Sequence, residues 1–207
     1  MARVLRIAAV LAAAGSVASV AAAARALDTP GAFAGHGISF TYPTTWQHGP
    51  GTIQYQLGNA QWTEFFSPPA ATPAPSDPSQ PAAPPATPGP SYDLLIVAGY
   101  RLPVSITKKN LARYKAAIRA GVAQLIGQAQ GQILGGPTRV TLGKLPGYRF
   151  DTSLQMSDGT LVASRLIFVF RKKIEYFLNC QHTQDGPLTA EIEGGCDQVM
   201  QSFRSGS

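Results

Sequence analysis

Residues 148–170, YRFDTSLQMSDGTLVASRLIFVF, decide most of the fold because they predict a β-hairpin. Every second side chain of an extended strand points to the same face. The apolar side chains that share a face of the first strand are Tyr148, Phe150, Leu154 and Met156. Asp158 and Gly159 then provide a residue pair that tight hairpin turns favour, and residues 161–170 return as the second strand. We therefore expect an antiparallel strand pair.

A third strand is predicted directly after this hairpin. Arg171, Lys172 and Lys173 form a charged connection, and residues 174–180 alternate again. The side chains on one side of this strand are Ile174, Tyr176, Leu178 and Cys180. The three strands together predict an antiparallel meander.

Two helices are predicted around these strands. The first begins near Thr107 and has apolar residues at spacings of three and four, namely Leu111, Tyr114, Ile118, Val122, Leu125 and Ile126. The second runs from Leu188 to Arg204 and has Cys196, Val199, Met200 and Phe203 in phase. Because glycine disfavours a helix interior, we expect Gly194 and Gly195 to weaken or break this helix midway.

The first part of the chain predicts further strands. Apolar and polar residues alternate over residues 38–42, where Pro43 ends the strand before Trp46, and again over residues 53–57. Residues 94–98 are continuously apolar and short, as in a central strand that is covered on both faces. This strand predicts layers on both sides of the sheet.

A proline-rich segment interrupts the pattern at residues 67–90. It holds ten of the 17 prolines and no aromatic or large aliphatic residue, so it cannot form a core and should be extended and solvated. The strands predicted within residues 37–66 are too few to fold alone. We therefore expect one domain over residues 37–204 with an inserted loop, rather than two domains joined by a linker.

Residues 1–26 predict a cleaved export signal. Arg3 and Arg6 precede an uncharged, alanine-rich stretch that ends in small residues, so cleavage after Ala24 or Ala26 fits. A retained membrane anchor would need a more strongly apolar stretch. The mature protein would be secreted or extracytoplasmic and would begin with a tail at residues 27–36. Without the three basic residues of the signal, 14 basic residues face 11 acidic ones, a net charge of +3.

The order of these elements resembles the PsbP-like superfamily, which includes actinobacterial secreted proteins of the LpqN type. The resemblance rests on the opening strand GISFTYP at residues 37–43 with Trp46, and on the closing helix QVMQSF at residues 198–203. It implies an α+β fold, an α/β/α sandwich with an antiparallel sheet and helices on both faces. It also implies a non-catalytic binding or assembly module, but no functional residue carries over from it.

The two cysteines, Cys180 and Cys196, predict a disulfide in an exported chain. One alternative is a zinc site in which His182 and Asp185 join both cysteines, although the spacing matches no strong zinc pattern. Another is a nucleophile pair of Cys180 and His182, which would also need an orienting group and an oxyanion site. His36 and His48, the other histidines, lie far away in sequence.

The first predicted helix has a basic side with no acidic residue. Its cations are Lys108, Lys109, Arg113, Lys115 and Arg119. They could form an ordinary solvated surface, or they could attract an anionic surface such as lipid headgroups or acidic cell-wall polymer. Nucleic acid is not expected, because Tyr114 is the only aromatic residue among these cations and lies in phase with the apolar stripe.

The sequence therefore predicts a secreted, non-catalytic binding or assembly module of the bacterial envelope or extracellular space. Its partner would be an extracellular protein, an anionic envelope component or a small ligand. No catalytic residue, metal ligand or cofactor is predicted, since nucleophile elbows, phosphate loops and metalloprotease motifs are missing from the sequence. The alternative is a secreted hydrolase whose site is assembled from residues far apart in the chain.

Overall fold

The structure is a computed structural model, and it describes residues 31–51, 60–69 and 92–206. Within these ranges the chain is α+β, as the sequence predicts, and most of its secondary structure is strand. The strands are β1 (Ala32–Gly35), β2 (Ile38–Thr41), β3 (Gln47–Pro50), β4 (Ala60–Ser67), β5 (Leu94–Ile106), β6 (Gln132–Leu142), β7 (Leu145–Gln155), β8 (Leu161–Thr183) and β9 (Arg204–Ser205). The helices are α1 (Leu111–Gln128) and α2 (Thr189–Ser202).

The strands form two antiparallel sheets. The main sheet has the order β3-β4-β5-β8-β7-β6, and a small sheet has the order β1-β2-β9. Strand β5 pairs with β4 on one side and β8 on the other, and residues 95–100 are buried. The predicted central strand is therefore confirmed, although it continues to Ile106.

Strand β8 doubles back on itself and supplies two neighbouring arms of the main sheet. An unbroken strand would separate Phe168 from Phe177 by about 30 Å, yet the centroids of their rings lie 5.1 Å apart. The backbone N–H of Gln184 donates to the carbonyl of Leu161 at 2.8 Å, which joins the far ends of the two arms. The chain reverses at Lys172, which has a φ of 54°.

The two arms have different outer neighbours. Residues 161–169 pair with β7, while residues 172–181 pair with β5. The turn between β7 and β8 contains Gly159, whose φ of 86° suits glycine. Both the predicted hairpin and the predicted meander are confirmed.

Two apolar cores form on the main sheet. Ile96 and Ala98 of β5 belong to one core, which contains the apolar residues of α1. Leu95 and Val97 belong to the other, which contains those of α2 and the small sheet. Because successive strand residues point to opposite faces, the α1 core and the α2 core lie on opposite faces of β5.

Helix α1 follows its predicted apolar stripe. Its buried residues are Leu111, Ile118, Val122, Leu125 and Ile126, and burying each of these aliphatic side chains contributes roughly 1.5–3 kcal/mol. The helix begins at Leu111, later than the predicted Thr107. Residues 107–110 instead form a turn, in which the backbone N–H of Thr107 donates to Oδ1 of Asn110 at 2.7 Å.

Helix α2 corrects the prediction that Gly194 and Gly195 interrupt it. The helix is continuous through both glycines. A Cβ atom at position 195 would collide with the ring of Trp46, whereas one at position 194 would meet nothing within 4 Å. Gly195 therefore allows the Trp46 ring to approach the helix backbone closely, and that packing compensates for its low helix propensity.

Five strands were not predicted at their positions, namely β1, β3, β4, β6 and β9. Residues 32–35 fall in the predicted N-terminal tail but form β1, which pairs with β2. Strand β6 is also new, because Gly135, Gly136 and Pro137 hide its alternation.

Three predicted segments fall outside the described residues: the export signal at residues 1–26, the strand at residues 53–57 and nearly all of the proline-rich loop at residues 67–90. In the described part of the chain, neither α1 nor α2 combines the length and hydropathy needed to cross a membrane.

Candidate functional site

The two cysteines form a disulfide, as the sequence predicts. Cys180 lies in the second arm of β8 and Cys196 in α2, and their Cα atoms are 6.1 Å apart, a normal separation for a disulfide. Both sulfur atoms are consumed, so neither the zinc site with His182 and Asp185 nor the Cys180 nucleophile is formed. Among the residues that the structure describes, no group of three His, Cys, Asp or Glu could hold a metal ion.

A groove of about 240 Å³ opens beside this disulfide, between α2 and the main sheet. Its lining includes both cysteines of the disulfide, Ala163 and Ile192, together with charged groups. The charged and histidine residues that line it are Arg149, Asp151, Arg165, His182 and Glu193. The lining of the groove thus combines apolar and charged side chains, as that of many ligand sites does.

The arginines of the groove are already paired. Arg149 donates to both carboxylate oxygens of Asp151 at 3.0 Å, and Arg165 donates to Asp197 at 2.7 Å. These pairs are partly exposed, so each contributes little to stability. They leave the groove without a concentrated charge of one sign.

His182 is the one histidine of the groove, and its ring is held from two sides. Nδ1 lies 3.0 Å from the carbonyl of Thr183 and 3.3 Å from Oγ1 of Thr189, while Nε2 lies 3.8 Å from Glu193. A general base would need a nucleophile within about 3 Å of its free nitrogen. The hydroxyl of Ser164, which also borders the groove, is buried and has no partner. It points to the α1 face, because its neighbours on the strand, Ala163 and Arg165, point to the α2 face.

The predicted basic side of α1 is exposed to solvent. Its five cations are all exposed, and the structure shows no ion pair for any of them among the described residues. We call this surface the α1 basic face, and it consists of Lys108, Lys109, Arg113, Lys115 and Arg119. Tyr114 is partly buried against the α1 core, as predicted. The structure therefore presents the five side chains together, without assigning them a ligand.

The structure also joins two histidines that the sequence analysis set apart. Nε2 of His36 lies 3.3 Å from Oε1 of Glu64, and Nε2 of His48 lies 3.1 Å from Oε2 of the same carboxylate. His36 stacks on Trp62 with ring centroids 4.2 Å apart, and His48 stacks on Phe66 at 4.6 Å. This cluster ties the β1–β2 turn to strands β3 and β4. No sequence pattern predicts it, because it depends on how the small sheet covers the large one.

Glu175 is a second buried acid that the sequence analysis missed. It pairs with Tyr100 across β5 and β8, and neither its carboxyl oxygens nor the Tyr100 hydroxyl has a hydrogen-bond partner among the described residues. Burial raises the pKa of Glu175 to about 8. Burial and the nearby Glu175 carboxyl raise the pKa of Tyr100. The burial of Glu175 could have been inferred from its place in the sheet, because every position of a central strand that is covered on both faces is buried.

Neither a protein-family model nor a curated protein matches the sequence. Among solved structures, the chain is similar to LpqN, which is involved in cell envelope biogenesis of Mycobacterium tuberculosis, with 14% identity, a TM-score of 0.49 and coverage of 82% of this chain and 83% of LpqN. It is also similar to a protein of Bacteroides thetaiotaomicron, with 12% identity, a TM-score of 0.46 and coverage of 83% of this chain. The match spans 46% of that Bacteroides protein, about half of its length. The PsbP-like assignment stays a prediction.

Proposed function

We propose that this protein is a secreted, non-catalytic binding module of the bacterial envelope or extracellular space, built as an α/β/α sandwich, and that its partner is an anionic envelope component. The observation behind this proposal is the α1 basic face. Three exposed cations lie on α1 and two lie in the turn before it, and none of the five has an acidic partner among the described residues. Such a surface attracts anions over several ångströms and releases counterions on contact.

The position of these cations argues against a role in helix stability. Helix N-termini favour acidic residues, because the aligned peptide dipoles make that end positive. The first turn of α1 contains no acid, while Lys108, Lys109 and Arg113 crowd around it. This arrangement costs the helix some stability and strengthens the positive field outside it. A binding role explains that cost.

An extracytoplasmic location is supported by two features. The Cys180–Cys196 disulfide is typical of oxidising compartments outside the cytoplasm. The predicted signal at residues 1–26 would deliver the chain there. The protein would then meet lipid headgroups and acidic wall polymers, which are the anionic surfaces of a bacterial envelope.

A secreted hydrolase remains the second candidate, and the groove is where its site would lie. His182 and Glu193 both line the groove, and Nε2 of His182 lies 3.8 Å from Oε1 of Glu193, as in an acid–base pair. However, the cysteines are oxidised, and the Ser164 hydroxyl points away from the groove. A binding role therefore accounts for more of the geometry than catalysis does.

Co-sedimentation tests the proposed function. Purified Leu27–Ser207, which contains every described strand and helix, is mixed with phosphatidylglycerol vesicles, neutral phosphatidylcholine vesicles or purified cell wall, at low and high salt. We expect salt-sensitive binding to an anionic material. The variant K109E/R113E/K115E/R119E should lose at least about 10-fold in affinity, given roughly 1 kcal/mol for each cation near an anionic surface.

The matched control keeps the charge and changes the side chains. The variant K109R/R113K/K115R/R119K should bind like the wild type, because long-range attraction depends on charge rather than on shape. Wild-type protein that stays in the supernatant with all three materials would contradict the proposed function. Equal binding by the wild type and the charge-reversal variant would contradict the role of the α1 basic face.

A further inference from the structure

The turn of β8 lies beside the start of α1, although the two are far apart in sequence. Lys172 pairs with Ile106, the last residue of β5, and Lys108 and Lys109 follow two and three residues later. Lys172 and Lys173 are exposed at this turn. The sheet register therefore joins the cations of a hairpin tip to those that begin the α1 basic face.

The turn between β6 and β7 contributes to the same end of the sheet. Gly147 of β7 pairs with Val169 of β8, so Lys144, three residues before Gly147, lies level with the β8 turn. Lys144 is exposed. Neighbouring strands are separated by only about 4.8 Å, which makes these two turns adjacent. Arg101, exposed on β5, pairs with Ile174 just inside the same end.

Acidic residues gather at the opposite end of the main sheet. Asp93 immediately precedes β5 and accepts a hydrogen bond from the backbone N–H of Thr183 at 2.8 Å. Asp158 lies in the turn between β7 and β8, and Asp185 follows β8. The acidic residue nearest in sequence to Lys172 and Lys173 is Glu175, and its side chain is fully buried. The main sheet thus has one cationic end and one anionic end.

We infer that the cationic end docks onto a planar anionic lipid surface, with the strands of the main sheet pointing toward the membrane. We call this end the strand-end patch, and it consists of Arg101, Lys108, Lys109, Lys144, Lys172 and Lys173. This inference rests on the proposed function and specifies its partner and its orientation. The α1 basic face overlaps the patch at Lys108 and Lys109.

Two features favour a lipid surface over a linear polymer or a small anion. First, the cations come from segments that end at the same level of the sheet, which gives a broad end rather than a groove that would follow a polymer. Second, five of the six are lysines, which are flexible point charges without the fixed fork that holds one phosphate in two places. Such a patch suits a plane with many diffuse negative charges.

The direction of α1 makes this orientation testable. The helix leads away from the strand-end patch, since β6, which follows it, begins at Gln132 opposite Ser153, near the acidic end. Lys115 is the fifth residue of α1, which begins at Leu111, so it lies about 6 Å along the helix axis from the end nearest the patch. The chain contains only six lysines, and Lys115 is the one outside the patch.

Lysine footprinting on vesicles is the test. Purified Leu27–Ser207 is acetylated while bound to phosphatidylglycerol vesicles and while free, and mass spectrometry gives the rate at each lysine. We expect Lys144, Lys172 and Lys173 to be protected several-fold and Lys115 to be protected less. In parallel, K144E/K172E/K173E should lose vesicle binding at moderate salt, whereas K144R/K172R/K173R should keep it.

The outcomes separate this inference from the proposed function. If Lys109 and Lys115 are protected while Lys144, Lys172 and Lys173 react as in free protein, the protein docks by the side of α1 and the end-on orientation is wrong. If wild-type protein binds cell-wall polymer but not vesicles, the proposed function holds and the lipid partner is wrong. If it binds neither material, both fail.

Discussion

The two cores of the main sheet are held together by different forces. The α2 core has a covalent link, Cys180–Cys196, and polar ties to the rest of the fold. Nε1 of Trp46 donates to Glu191 at 3.1 Å, and the backbone N–H of Thr41 donates to Oγ of Ser202 at 2.9 Å. By contrast, among the described residues no side-chain hydrogen bond or ion pair joins α1 to the sheet.

The α1 core also contains the poorly satisfied polar groups. The buried side-chain atoms without a hydrogen-bond partner in the described part of the chain belong to Tyr100, Ser164, Glu175 and Asn179. The register and the alternation of the strands place all four residues on the α1 face of the main sheet. Each such group costs about 1–3 kcal/mol relative to a satisfied one. The covalent and polar stabilisation is therefore concentrated on the α2 side, and the helix proposed for binding packs on the side that lacks it.

The largest expected effect concerns Glu175 in the α1 core. Its folded-state pKa of about 8 lies above its ordinary value of 4.5, so the folded protein binds the proton more tightly than the unfolded chain. Stability must then fall as the pH rises from about 5 to about 8. At 1.36 kcal/mol per pKa unit, the loss is about 4 kcal/mol.

Urea unfolding of the wild type and of Glu175→Gln at pH 5 and pH 8 measures this effect. The amide keeps the shape of the protonated acid and cannot ionise, so the variant should lose the pH-dependent difference. Parallel pH profiles for the two proteins would mean that Glu175 is not a buried, protonated acid. The α1 core would then not contain the unsatisfied buried acid that distinguishes it from the α2 core.

The second effect concerns the disulfide of the α2 core. Replacing both residues, as in C180A/C196A, should lower the free energy of unfolding by about 3 kcal/mol, because the bond closes a loop of roughly 15 residues in the unfolded chain. Thermal unfolding with and without reductant measures it, and the reductant should leave the variant unchanged. A loss below about 1 kcal/mol would show that the α2 core does not depend on this link.

The third effect compares the adjacent glycines of α2. Gly195→Ala should cost about 1–3 kcal/mol, because its methyl group would displace the Trp46 ring. Gly194→Ala should stabilise the helix by up to about 1 kcal/mol, because that position is open. Chemical denaturation of both variants measures these changes in the free energy of unfolding. Two changes of the same sign would show that Trp46 does not pack on α2 as described.

Sequence patterns predicted the parts of this fold that depend on local periodicity. The apolar pattern repeats over many residues both in the helix stripe from Leu111 to Ile126 and in the strands of the hairpin around Gly159. Tertiary contacts therefore did not override these local preferences. The disulfide followed from the presence of two cysteines in a chain predicted to be exported. The effect of Gly195 on α2 was predicted wrongly, because this glycine allows close packing of Trp46, which is almost 150 residues away in the chain.

The candidate sites were less predictable, because they depend on register and on layer packing. The α1 basic face lies on one helix and the turn before it, and it was visible in the sequence as a run of cations. Lys144, Lys172 and Lys173 belong to turns whose proximity follows only from strand pairing. The carboxylate of Glu64 meets His36 and His48 only after the small sheet covers β4.

The smallest stability effect is expected on the α1 basic face, where K109E/R113E/K115E/R119E should change the free energy of unfolding by less than about 0.5 kcal/mol, since exposed charges contribute little. A modest stabilisation would also agree with an ordinary exposed surface, because glutamates interact favourably with the positive N-terminal end of the helix dipole. Urea denaturation of this variant, beside the wild type, measures it. A large loss would mean that these residues serve the fold.

The binding role of the α1 basic face is best tested by measuring two quantities on one sample of that same variant, its affinity for phosphatidylglycerol vesicles and its unfolding free energy. We expect the affinity to fall at least about 10-fold while the unfolding free energy stays within about 0.5 kcal/mol of the wild-type value. Unchanged affinity would contradict a binding role for the α1 basic face. Affinity and stability that fall together would show that the cations maintain the fold rather than bind a partner.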